Sequence, residues 1–174
     1  MSEPRVAALR RRAVLVAALA ALTVAVLGGL STDIGAWYAG LRQPPWKPPD
    51  AWFGPAWTFI YACTAAAGAL AWLRLREPRH DAARLGLLAA FAANGCLNVL
   101  WSLLFFRLRR PDWALLEVGA LWLSILLLVV LVLRHSRLAA WLLLPYLVWV
   151  SFAATLNAAV VRLNGPFGAA AGSA

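Results

Sequence analysis

Long apolar runs alternate with short charged breaks along this chain. Stretches free of formal charge occupy 13–32, 51–73, 85–106 and 138–161, and a fifth, 113–133, is interrupted only by Glu117. A helix of roughly 20 residues crosses a hydrocarbon core of about 30 Å, so each run is long enough to span a bilayer. The pattern predicts an all-α integral membrane protein, a bundle of five transmembrane helices filling 13–164. A basic segment, 1–12, precedes it and a short flexible tail, 165–174, follows. The breaks at 74–84, 107–112 and 134–137 are short, which makes consecutive helices antiparallel.

Only the break from Ser31 to Pro55 is long enough to have an architecture of its own. Its core reads "WYAGLRQPPWKPPDAWFGPAW" over 37–57. Paired prolines exclude a regular helix or sheet interior and leave little conformational freedom to lose. The loop is therefore expected to be stiff and to act as a lid folded over one mouth of the bundle, with Asp50 capping the helix that follows. Tryptophans also gather at bilayer interfaces, where the ring is apolar and the N–H is wetted. That account is open for Trp37 and Trp52, and for Trp72, Trp113 and Trp141 at other span ends. Trp46, mid-loop between prolines, fits the lid better.

Inside the spans, polar and aromatic residues fall into helical register. Asn94, Asn98, Trp101 and Phe105 share one face of the third span; Trp57, Tyr61, Thr64 and Gly68 share a face of the second. On the fifth, Trp149, Ala153 and Asn157 line up, with Tyr146 one turn earlier beside Pro145. Amides in hydrocarbon need partners, so these faces should look inward. Interhelical hydrogen bonding is one explanation. Three matching faces beneath an aromatic loop favour the other, a pocket for a flat apolar ligand carrying a few polar groups. Glu117, the one carboxylate well inside a span, is a functional acid, an acid near the interface four residues into its helix, or a partner of the arginines at 107–110.

Composition agrees with a membrane location: 63% of the 174 residues are hydrophobic, against about 45–50% in soluble domains. The formal charge of +9 reflects arginines flanking spans and is not a nucleic-acid signal. Ten basic residues fall on the N-terminal side of the bundle and six on the other, which predicts a cytoplasmic N-terminus. The first run has the basic start of a signal peptide, but its apolar part exceeds the usual ~7–15 residues. Cys63 and Cys96 lie within spans, and His80 and His135 in links, so neither a disulfide nor a metal site is expected. No nucleophile with a neighbouring base, phosphate loop or carboxylate pair is present. Gly86 with Ala90, and Ala89 with Ala93, give the third helix small-residue spacings through which a homodimer could pack.

Three blocks resemble the TspO/MBR family of tryptophan-rich sensory and translocator proteins: the loop block quoted above running on to "TFIY", then "FAANGCLNVLWSLLFF" and "AAWLLLPYLVWVSFAATLNAAVVRLN". The resemblance implies five spans, a homodimer, and a pocket under the first loop for porphyrins, haem and drug-like ligands. It assigns Trp57 and Trp149 to that pocket, with Tyr61, Asn94, Asn98, Trp101, Ala153 and Asn157 around them; the spacing argument adds Trp46. Two departures stand out. Phe91, Asn94 and Gly95 replace the usual Tyr, Gln and Leu, and Ala158 stands where a sterol-recognition pattern needs Tyr. The implied function is a membrane receptor or carrier for tetrapyrroles such as protoporphyrin IX or haem, with a role in regulation or porphyrin homeostasis and no obligatory cofactor. The alternatives are light-dependent porphyrin degradation and transport of porphyrin or lipid. The implied location is a bacterial cell membrane.

Overall fold

The computed structural model describes residues 3–75 and 81–167. His80, with the rest of the link 76–80, and positions 168–174 of the predicted tail lie outside them. Five long helices account for the apolar runs: α1 (Glu3–Ser31), α3 (Phe53–Arg74), α4 (Asp81–Ser102), α5 (Pro111–Leu133) and α6 (Arg137–Asn164). All five, with α4 counted together with a continuation to Arg107, are long and apolar enough to cross a membrane. The short α2 (Ala36–Ala39) belongs to the first loop.

Local chemistry sets the helix ends. Pro111 opens α5, where a missing N–H costs nothing. Ser136 caps α6, its hydroxyl accepting from the Ala139 N–H at 3.2 Å. At the end of α1, Ser31 Oγ donates to the Leu27 carbonyl and Thr32 Oγ1 to that of Gly28. The Arg107 guanidinium reaches across from α4 to the Leu30 carbonyl. The Leu30 carbonyl, in the last turn of α1, gains a partner it would otherwise lack. α1 begins at Glu3 and carries Arg10, Arg11 and Arg12 as continuous helix.

The helices close into a ring in the order α1, α3, α6, α5, α4 and back to α1. Although α3 and α4 are consecutive, they touch only marginally, and α1 packs against both. Gly95 explains how α1 comes so near α4. A Cβ there would sit 2.9 Å from Cγ2 of Val24. The departure from the family's usual Leu thus serves helix packing. Phe91 likewise packs over Gly68 of α3, 3.5 Å from where a Cβ would stand.

An apolar core of Ala67, Ala71, Leu87, Leu128, Val132 and Leu143 fills the end of the ring away from the first loop. Ile60, Val118, Leu121, Ile125, Tyr146 and Val150 fill the middle. At the loop end the apolar packing thins, and a cavity takes its place. On the outer surface Trp52, Trp113 and Trp141 are exposed, as interfacial anchors are. Arg110 stacks over Trp113 at 4.0 Å and Arg84 over Trp72 at 4.9 Å.

Candidate functional site

The cavity holds about 470 Å³ and is walled by α1, the first loop, α3, α4 and α6. Of the nine ligand-binding positions expected from sequence, Trp57, Tyr61, Asn98, Trp101, Trp149, Ala153 and Asn157 line it. Trp46 and Asn94 do not. The Trp46 ring lies edge-on against Phe152, at 5.9 Å, and reaches the Trp149 ring only through that phenyl. Asn94 is buried and turns toward α5, donating to Ser124 Oγ at 2.8 Å.

Aromatic rings supply most of the wall. Trp57 stacks on Tyr61 at 5.3 Å and meets Trp149 edge-on at 6.4 Å; Phe53 packs edge-on against Trp149. Across the cavity, Trp101 stacks on Phe105 at 5.2 Å and meets Phe106 edge-on at 6.1 Å. That second cluster depends on a π-helical turn, Leu103–Arg107, in which the Leu108 N–H donates to the Leu103 carbonyl five residues back. In an ideal α-helix, Phe106 would point about 140° away from Trp101, five residues earlier, whereas the five-residue repeat of a π-turn brings the two nearly into line. The wider turn brings both onto the cavity, and such turns cluster at functional sites. Arg109, left-handed with φ of 54°, then redirects the chain into α5.

The amides play a different part from the one expected of a binding site. Tyr61 donates its hydroxyl proton to Asn98 Oδ1 at 2.7 Å, and Asn98 Nδ2 donates to the Tyr146 hydroxyl at 3.1 Å. One amide thus ties α3, α4 and α6 together. Asn157 crosses to the first turn of α5. Oriented to suit its neighbours, it donates to the Pro111 carbonyl at 3.0 Å and accepts from the Leu115 N–H at 3.1 Å. These residues chiefly hold the wall in place.

The first loop contributes Ile34, Tyr38, Gln43 and Asp50 to the cavity. Asp50 does not cap the following helix. Its carboxylate accepts from the Tyr38 hydroxyl at 2.9 Å and from Lys47 at 2.6 Å, which staples the loop to itself. Burial, and then the bond to Asp50, push the Tyr38 hydroxyl above the ordinary phenol range, so it stays a neutral donor. Asn164 clasps the loop from α6: its Oδ1 accepts from the Arg42 N–H at 2.7 Å and its Nδ2 donates to the Arg42 carbonyl at 2.9 Å.

Sequence reasoning overlooked α1 entirely as a wall. Ala25, Gly28, Gly29 and Thr32 line the cavity, and what they offer is missing bulk. The Gly28–Gly29 pair was the available signal. A Cβ on Gly29 would meet nothing within 4 Å, and one on Gly28 only the Tyr61 hydroxyl, at 3.7 Å.

Glu117 stands outside the lining. The Asn94–Ser124 bond sets the register of antiparallel α4 and α5, so Glu117, two turns before Ser124, is level with Trp101. Both its carboxylate oxygens are covered and have no partner among the described residues. The arginines at 107–110 are engaged elsewhere: Arg107 on Leu30, Arg109 over Trp37, Arg110 on Asp112. An enclosed carboxylate without donors is destabilising. Glu117→Leu is therefore expected to raise unfolding stability by about 1–3 kcal/mol, read as an increased thermal midpoint in detergent. A lowered midpoint would mean that the carboxylate has a stabilising partner.

The TspO/MBR family model matches residues 14–163. The chain is 38% identical to the tryptophan-rich protein TspO of Archaeoglobus fulgidus over 148 residues, 84% of this chain and 93% of that protein. It is 39% identical to the translocator protein of Sus scrofa over 129 residues, 74% and 75% of the two chains. With the tryptophan-rich sensory protein of Cereibacter sphaeroides the identity is 32% over 128 residues, 74% and 77%.

Proposed function

The chain belongs to the TspO/MBR family of membrane proteins, and from that premise we propose that it is a multi-pass membrane receptor for tetrapyrroles or similar flat apolar ligands. The observation that carries this reading is the cavity itself, about 470 Å³ walled by Trp57, Trp101 and Trp149. That size falls within the ~300–1,000 Å³ usual for small-molecule sites. Indole faces on opposite walls suit a planar ring system, because offset stacking rewards flat partners. The first loop serves as a lid whose internal staple and clasp limit the ordering entropy lost on binding. The loop end faces away from the cytoplasm, in keeping with the arginines gathered at the other end. The outward face of α4, with Gly86, Ala89 and Ala93 exposed, is the surface for a second copy. Ala90 is turned inward against the core.

Among the described residues, no histidine, cysteine or methionine lines the cavity. A haem held there is bound by its ring face, with no imidazole or thiolate on the iron. Titration of the Soret band in nanodiscs should give saturable binding of protoporphyrin IX and of haem with affinities within about threefold of each other. The haem spectrum should lack the signature of imidazole ligation and stay unchanged in His135→Ala, a residue at the far end of the bundle. Unsaturable uptake of both would overturn the proposal.

A further inference from the structure

Most polar groups around the cavity are already committed within the protein. Asn98 is held between two tyrosines, Asn157 on the first turn of α5, and Thr58 on the Gly54 carbonyl. Tyr38 is spent on Asp50. Two nitrogens on lining residues are buried with no partner among the described residues: Gln43 Nε2 on the loop and Trp101 Nε1 on α4. Both are neutral donors. A buried donor left unpaired costs the protein free energy, and any ligand that supplies an acceptor recovers it.

We infer that Gln43 and Trp101 are the specificity-determining donors of this site, and that they select flat apolar ligands bearing oxygen acceptors, whether carboxylate or carbonyl, toward the loop end. The inference rests on the tetrapyrrole reading above and adds which part of the ligand is recognised. Neither nitrogen faces open space. Phe105 stacks on the face of the Trp101 ring, whereas the N–H lies at the ring's edge, so the ligand reaches it by a turn of the indole. Gln43 lies on the segment between the Arg42 clasp and the Lys47–Asp50 staple, which fixes its backbone while leaving its side chain to turn. Because both donors are uncharged, they accept a neutral carbonyl as well as a carboxylate, the stronger bond to the carboxylate being offset by the greater cost of desolvating it.

The test compares three porphyrins by Soret titration in nanodiscs: protoporphyrin IX, its dimethyl ester, and etioporphyrin, which has no oxygen acceptor. Wild type should bind the acid and the ester alike and etioporphyrin about tenfold more weakly. In Gln43→Met and in Trp101→Phe the gap should narrow to about threefold, and in the double variant it should close. Etioporphyrin, which offers neither donor an oxygen, is each variant's own reference. The ratio of acid to etioporphyrin affinity within one variant is what is read, so any loss of ring stacking in Trp101→Phe cancels. Saturable etioporphyrin binding shows that the variant keeps its cavity. Equal wild-type affinity for all three porphyrins would overturn the inference and leave the tetrapyrrole reading standing. So would an ester that binds as weakly as etioporphyrin, since charge would then be what is read, or a gap that both variants preserve. No saturable binding of any of the three would overturn the tetrapyrrole reading and this inference with it.

Discussion

Asn98→Leu lowers the stability of the detergent-solubilised protein by about 2–4 kcal/mol, the largest loss expected from a single polar substitution in the bundle. The side chain is almost fully buried and is the only link between the Tyr61 and Tyr146 hydroxyls among the described residues. Interhelical hydrogen bonds in membrane proteins average about 0.6 kcal/mol by double-mutant cycles, which for two bonds would give only a little over 1 kcal/mol. The expected loss is greater because leucine leaves the buried Tyr146 hydroxyl and the half-buried Tyr61 hydroxyl without their amide partner. Replacing Asn94 with Ala breaks a single bond to Ser124, whose hydroxyl keeps its second contact with the Leu121 carbonyl. Its cost should be near 1 kcal/mol. Thermal unfolding followed by far-ultraviolet circular dichroism measures both. Equal, small losses would show that Asn98 is ordinary interhelical contact and not the tie among three helices.

The largest effect on binding is expected from Trp149→Ala, which should weaken protoporphyrin by about 10- to 100-fold, or roughly 1.4–2.8 kcal/mol. Trp149 contacts Trp57, Phe53 and Phe152, so its removal deletes one stacking wall and loosens the rings that orient the others. Trp149→Phe keeps a ring and should lose less. By contrast, Trp52→Ala removes a ring that is 68% exposed and should leave affinity unchanged. Soret titrations of the three variants decide the matter. Equal affinities for wild type and Trp149→Ala would show that the ligand does not use this wall.

The five spans were legible because a membrane helix is specified chiefly by length and apolarity, and each of the five runs is long enough to cross a bilayer. The shared faces were legible too, since seven of the nine expected positions meet in one cavity. Spacing did not reveal what each polar group would bond. Asn94 and Asn98 are four residues apart on α4, yet one turns to α5 and the other to α3 and α6. Four residues advance a helix about 400°, so the two point some 40° apart, enough to give them different neighbours in a ring of five. The π-turn that swings Phe106 onto the cavity has no periodic signature, because it interrupts the periodicity on which such readings rest. The loop's cross-links were equally hidden. Asp50 sits where a helix cap belongs, and only the folded loop brings Tyr38 and Lys47 to its carboxylate.

Arg42 and Asn164 are 122 residues apart in sequence, and that separation bears on how the protein is assembled. During synthesis the loop is complete early, with four of the five spans still to be inserted or made. The amide that holds it arrives with the last turn of the last helix. Until then the loop has its own internal staple but no anchor, and the wall that α6 supplies is absent. The cavity is thus the final part of the molecule to come into being, and a chain shortened by a single turn before Asn164 would keep most of its membrane-spanning residues while its roof stayed unfastened.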